Sequence, residues 1–203
     1  MTAKNDTAAA LVEADRKTTY KLAEKRDAPL VKATGFLAEV ADQPQLIATS
    51  IGTLVIGLIA RRPDLTRGGA RMLAAHFAAT MAKSAIKHSV DRTRPAPAIE
   101  KGRARFEPGD SEDHEETSFP SGHTAGAVAV SRAASRDIDG VAAPSALATI
   151  AVAAAQPVNG KHYLSDLVVG AAVGWIAEAM VSAVFDRVFP LADDEHIVAA
   201  GRA

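Results

Sequence analysis

Long stretches of this chain carry almost no charge, and the charges that remain are gathered between them. Pro44 to Ala60 and Gly140 to Gly160 hold no charged residue, and Leu167 to Phe185 holds only Glu178. A fourth stretch, Gly68 to Ile86, is helical in pattern but amphipathic, with Arg71, His76 and Lys83 inside it. Crossing the hydrocarbon of a bilayer takes about 20 helical residues, so these lengths are sufficient for spans. Small residues dominate them: Gly69, Ala74, Ala75, Ala78 and Ala79 in one, Gly170, Ala171, Ala172 and Gly174 in another. Such residues let helices approach closely in lipid. The pattern predicts an all-α, membrane-embedded or membrane-associated bundle of about five to six helices. A water-soluble Ala-rich bundle is the competing reading.

Composition narrows the chemistry. The 203 residues include no cysteine, which excludes disulfides, thiolate metal sites and cysteine nucleophiles. Twenty-three basic against 24 acidic side chains leave no bias toward nucleic acid. The first 43 residues read as a polar, amphipathic segment, and Met1 to Arg26 shows no secretory h-region. Within it Thr7 to Arg26 reads as a solvated or interfacial helix with Leu11, Val12, Leu22 and Ala23 as its apolar stripe. A weaker helical pattern covers Val31 to Val40. The helical unit is expected over residues 44–190, followed by a polar tail over 191–203.

Charge placement gives the bundle a direction. With Arg61, Arg62, Arg67 and Arg71 on the cytoplasmic side, alternating crossings bring Arg132, Arg136 and Arg187 to that same side. Three polar clusters then meet on the opposite face. They are Lys87 to Pro95, Pro120 to His123, and Gly160 to Asp166. Between the first two, Ala96 to Ser118 is read as a loop rich in both carboxylates and basic residues, matching no metal-binding spacing.

Each cluster suits an anion. Pro95 ends a helix at Arg94, leaving Lys87 at a helix end with Arg92 and Arg94 just beyond it. Guanidinium forks match phosphate oxygens, and lysine adds a compact charge. Pro120-Ser121-Gly122-His123 opens a helix running to about Ala134, whose first amides point at negative charge. His123 sits where it could protonate a leaving oxygen. His162 and Asp166 are four apart, so a helix would bring their side chains together, and a carboxylate on one imidazole nitrogen frees the other as a nucleophile. Taken singly, these are also what an interfacial collar, a capped helix and a His–Asp cap look like. His76, His88 and His196 lie outside the clusters and read as structural or solvated.

In order and spacing the three clusters resemble the signature of the type 2 phosphatidic acid phosphatase (PAP2) superfamily, which also contains vanadium haloperoxidases. That signature is Lys-x6-Arg-Pro, Pro-Ser-Gly-His, and Ser-Arg-x5-His-x3-Asp. Lys87, Arg94 and Pro95 meet the first part, Pro120 to His123 the second, His162 and Asp166 the third. The resemblance implies a PAP2/haloperoxidase-like core and a phosphatase acting on a lipid phosphate or pyrophosphate. His162 would attack phosphorus to form a phosphohistidine, and Asp166 would orient it. His123 would protonate the leaving oxygen and then activate water. Lys87, Arg94, Ser121 and the Gly122 amide would hold the phosphate, with no metal or other cofactor required. It further implies an integral membrane protein of a bacterial inner membrane, with the site on the non-cytoplasmic face.

One position departs from the signature. The Ser-Arg pair falls on Ala155-Gln156, and glutamine offers a hydrogen bond to phosphate without the arginine's charge. Arg92 or Lys161 is the expected compensation. Two other readings stay open: a non-catalytic membrane protein that binds lipid phosphate through a decayed site, and a vanadate-dependent haloperoxidase.

Overall fold

A computed structural model describes residues 2–29, 31, 35 and 42–190. The expected helix around Val31 to Val40 and the tail over 191–203, with His196, fall largely or wholly outside these residues. Seven helices are described: α1 (Thr2–Ala23), α2 (Gln43–Ala60), α3 (Pro63–Lys87), α4 (Pro95–Lys101), α5 (Gly122–Asp137), α6 (Ala142–Val158) and α7 (Leu164–Val188). Two short strands, β1 (Val90–Arg92) and β2 (Phe106–Pro108), join the set.

Local sequence explains the turns. Pro44 stands in the first turn of α2, where its missing N–H costs nothing. Arg61 closes that helix in the left-handed region at φ 53°, and Pro63 restarts the chain as α3 immediately afterwards. Gly160, at φ 66°, turns the chain between α6 and α7.

The long helices α2, α3, α5, α6 and α7 form the bundle, with α3 and α5 at its centre. α3 packs on α2, α5 and α7, while α5 packs on α3, α6 and α7. The core between them is built mainly from alanine: Ala75, Ala79, Ala129, Ala133 and Ala177, with Met72 and Val130. Small side chains permit backbone-to-backbone approach. A β-carbon added at Gly174 would lie 2.2 Å from the Ala125 carbonyl oxygen, and one at Gly170 would lie 2.5 Å from that of Ser121. Meanwhile the large apolar side chains face outward, among them Ile56, Leu58, Ile59, Trp175, Ile176, Met180 and Val184. That arrangement inverts a water-soluble bundle and suits a surrounding of lipid. α2 and α7 are long and apolar enough to cross a membrane, and α6 is apolar but shorter.

Charges inside the bundle are paired. Glu178, the single charge of the last span, is fully buried and accepts from Arg132, Arg136 and Ser182. Arg71, also buried, is bound by Asp137 at 2.7 Å and Asp186 at 2.6 Å.

On α1, Leu11, Val12 and Leu22 of the apolar stripe are exposed, while Ala23 is buried. Its inner face is Asp15, Thr19 and Ala23, spaced four apart, which docks on α4, α6 and α7. Polar partners on the bundle select this face over the greasier one. The segment 96–118 is more than a loop: it holds most of α4, the strand β2 and a single helical turn, His114–Glu116. β1 and β2 pair antiparallel in the register Val90↔Pro108, Asp91↔Glu107, Arg92↔Phe106. Within the segment Glu116 accepts from Arg105 at 2.8 Å, and the Ser111 N–H donates to Asp91 of β1 at 2.8 Å.

Candidate active site

At the end of the bundle where α2 and α5 begin and α3 stops, a cavity of about 200 Å³ opens. Its wall includes Asp42, His76, Lys83, Lys87, Arg94, Gly122, His123 and His162. The three polar clusters therefore converge, as their spacing predicts.

His162 occupies the turn between α6 and α7 and is buried. Its Nδ1 lies 2.7 Å from the Ser118 carbonyl oxygen. A carbonyl only accepts, so Nδ1 carries the hydrogen and Nε2 keeps its lone pair. Burial, reinforced by the nearby Arg94 charge, holds the imidazole's pKa down at about 4, so the ring stays neutral at ordinary pH. The sequence expectation that Asp166 orients this ring directly is corrected: its Oδ2 is 3.7 Å from Nδ1, beyond hydrogen-bond reach. Asp166 instead accepts from Ser118 Oγ at 2.5 Å, the Tyr163 N–H at 2.8 Å and Arg92 Nη1 at 2.5 Å. It acts through Ser118, fixing the segment whose carbonyl holds the ring.

His123 faces His162, with ring centroids 6.3 Å apart and planes at 66°. Its Nε2 approaches Asp42 Oδ1 to 2.5 Å, a charge contact whose angles do not make an aligned hydrogen bond. Asp42 ends the segment before α2 and went unnoticed in the sequence. Its only signal there is a carboxylate one residue ahead of the Gln43-Pro44 helix start.

Lys87 donates to the Thr117 carbonyl at 2.8 Å. Arg94 is spread over three carbonyls, those of His114 at 2.8 Å, Lys161 at 3.1 Å and Thr117 at 3.5 Å. Both cations are thereby held at the cavity by backbone. Burial lowers the pKa of Arg94, and its charge in turn lowers that of His114.

The Pro-Ser-Gly-His helix start is stitched to α7, because the Ser121 N–H donates to the Asp166 carbonyl at 3.1 Å. Gly122 is on the cavity wall, where the first amides of α5 have no carbonyl within the helix to meet. Ser121 itself is buried and caps the helix, its Oγ 3.0 Å from Thr124 Oγ1. Its hydroxyl therefore faces the helix rather than the cavity.

Arg92 and Gln156 are not where phosphate would meet them. Arg92 lies behind His162, binding Asp166, Ser165 at 2.7 Å and Asp15 at 2.9 Å, with Tyr163 and Phe106 stacked on its guanidinium. Its donors are committed to a buried carboxylate pair, which keeps it off the wall. Gln156 is fully buried in α6, where its Nε2 donates to the Val152 carbonyl of its own helix at 3.2 Å. Lys161 contributes its backbone to Arg94 and is absent from the wall as well. Of the outlying histidines, His88 meets Asp110 at the surface. His76 is buried on the cavity wall, with no hydrogen-bond partner for Nδ1 among the described residues.

A neutral imidazole with a free Nε2, a second imidazole across a small cavity, fixed cations and a helix start make a site for phosphoryl transfer. Comparison with solved structures bears on the fold. The fold is similar to that of the first transmembrane PAP2-type phosphatidylglycerolphosphate phosphatase from Bacillus subtilis, with a TM-score of 0.66 at 16% identity over 90% of each chain. It is also similar to LpxE from Aquifex aeolicus, with a TM-score of 0.57 at 18% identity over 82% of this chain and 93% of that one. No curated protein matches the sequence. The family model for the PAP2 superfamily matches residues 68–189, which include all three clusters, and the chain belongs to that superfamily.

Proposed function

We propose that this protein is a membrane phosphatase that removes a phosphate or pyrophosphate group from a lipid through a phosphohistidine on His162. The observation that carries the reading is the pairing of His162 and His123 across the cavity, with centroids 6.3 Å apart. Reacting atoms sit about 3–3.5 Å apart in a productive complex. One phosphorus can therefore lie near His162 Nε2 while its leaving oxygen lies near His123.

The Nε2 lone pair attacks phosphorus, and the P–O bond to the lipid breaks as His123 donates a proton to the departing oxygen. Lys87, Arg94 and the first amides of α5 stabilise the charge on the non-bridging oxygens. Water, deprotonated by His123, then attacks the phosphohistidine and releases phosphate. Lipid as substrate is supported by outward apolar helices that would set the cavity mouth at the membrane interface. The arginines gathered at the opposite end support a bacterial inner-membrane protein with its site on the non-cytoplasmic side.

The test is phosphate release in detergent across a panel of lipid mono- and diphosphates, with and without EDTA. Turnover should survive chelation, fall to inhibition by vanadate and drop at least about 1,000-fold in His162→Ala. Turnover unchanged in that variant would refute the reading. A second reading, binding without turnover, draws on Gln156, whose position off the wall leaves the motif arginine unreplaced at that point in the chain. Measurable native turnover on any member of the panel would exclude it.

A further inference from the structure

The cavity's cations are not equivalent. His76, Lys83 and Lys87 follow one another on α3 at intervals of seven and four residues, which puts them on one helix face. All three line the cavity. Lys87 is tied to the Thr117 carbonyl, and Arg94 spends its donors on three others. Lys83 has no hydrogen-bond acceptor and no ion-pair partner among the described residues. Asp42, the carboxylate on the same wall, is instead in contact with His123.

Position adds to this. A β-carbon built on Gly122 would lie 3.0 Å from Lys83 Nζ, so the ammonium rests against the start of α5. Two positive groups, the lysine and the helix N-terminus, thus share one wall, and the carboxylate that attracts the lysine from a distance, Asp42, is in contact with His123 instead. Each positive group costs free energy when half-buried without a directly paired counter-charge, and together they also repel. An anion between them removes both costs. Gln156 supplies no charge there, and Arg92 is committed behind the site.

We infer that Lys83 is a catalytic residue of this site, donating through its ammonium to a non-bridging phosphate oxygen and supplying the charge that Gln156 lacks. The inference rests on the proposed phosphatase reading. Lysine brings three rotatable donors on a flexible stem, so it can follow the phosphate from substrate to phosphohistidine.

The experiment uses the full chain in detergent, with turnover on the best lipid phosphate, inhibition by vanadate and thermal melting read together. Lys83→Met should lower turnover about 100-fold, as loss of one oxyanion-type donor does. It should weaken vanadate inhibition at least about 10-fold at an unchanged melting temperature, the scale of one charge-assisted contact. Lys83→Arg should keep most of both. Turnover and vanadate inhibition in Lys83→Met within about twofold of the native chain would overturn the inference while leaving the phosphatase reading intact. Native protein that neither turns over nor binds vanadate would overturn both. Should Lys83→Met fail to fold, Lys83→Gln takes its place, and loss of fold in both would make Lys83 structural and overturn the inference.

Discussion

The protonation state of His162 is set by what its two nitrogens meet. The Ser118 carbonyl fixes the hydrogen on Nδ1, and burial lowers the ring's pKa to about 4. The consequence for stability has a definite sign. Between pH 4 and the unfolded value near 6.5, the unfolded chain binds a proton at this histidine that the native chain does not. Stability therefore falls as pH drops through that window. Thermal melting followed from pH 7 to pH 4.5 should show the decline, and His162→Gln should flatten it. An equal slope in both proteins would mean that the ring is not held neutral. The convergence of His162, His123, Lys87 and Arg94 on one cavity was legible from residue type and spacing, because each lies at or near a helix end. Arg92 and Gln156 were not. Their fate depends on Asp15 and on the interior of α6, contacts of long range that no local pattern encodes. Asp42 and Lys83 were visible as charges but not as site residues, since only the packing of α2 and α3 brings them to His123 and Gly122.

At the level of elements, the site depends on how closely α5 and α7 approach. Gly170 and Gly174 permit the contact, which in turn lets the Ser121 N–H reach the Asp166 carbonyl. Gly174→Val would drive a side chain into the Ala125 carbonyl and force the helices apart. Overpacking of this kind costs about 1–3 kcal/mol or more, and it should separate His123 from His162. Lower melting temperature with reduced turnover is the expected pair of results; an unaffected protein would mean that the helices are not in contact there. α1 acts through a different route. Asp15 accepts from Arg92 and from Ser165 Oγ at 2.5 Å, behind Asp166. Removing one partner of a buried ionic cluster costs on the order of 3 kcal/mol. Asp15→Ala should therefore lower stability by that order in detergent melting, whereas Leu11→Ala, on the exposed face, should leave it unchanged. Of the apolar stripe read from the sequence, only Ala23 is buried. Hydrophobic periodicity is a weak guide when the face that a helix buries is chosen by polar partners.

Across the whole molecule, charge and function divide between the two ends. The cavity and its cations lie at one end, and Arg61, Arg62, Arg132 and Arg136 at the other, the last two paired with the buried Glu178. A chain without cysteine allows this polarity to be tested on a clean background. In intact bacterial cells, an impermeant maleimide should label Ser89→Cys, beside the cavity end, and spare Asp139→Cys, in the turn between α5 and α6. The reverse pattern would place the site on the cytoplasmic side. The bundle itself was readable in advance because charge-free runs and small residues constrain a membrane chain strongly; the pairing of β1 with β2 was not, since two three-residue strands carry no period of their own. The central claim is that His162 takes up the phosphoryl group while His123 moves the protons. Rapid quenching of the native protein during turnover of 32P-labelled lipid phosphate, followed by peptide mapping, tests it most directly. Acid-labile label on His162, lost in His162→Ala, is the predicted result; turnover without label, or label on any other residue, would contradict it.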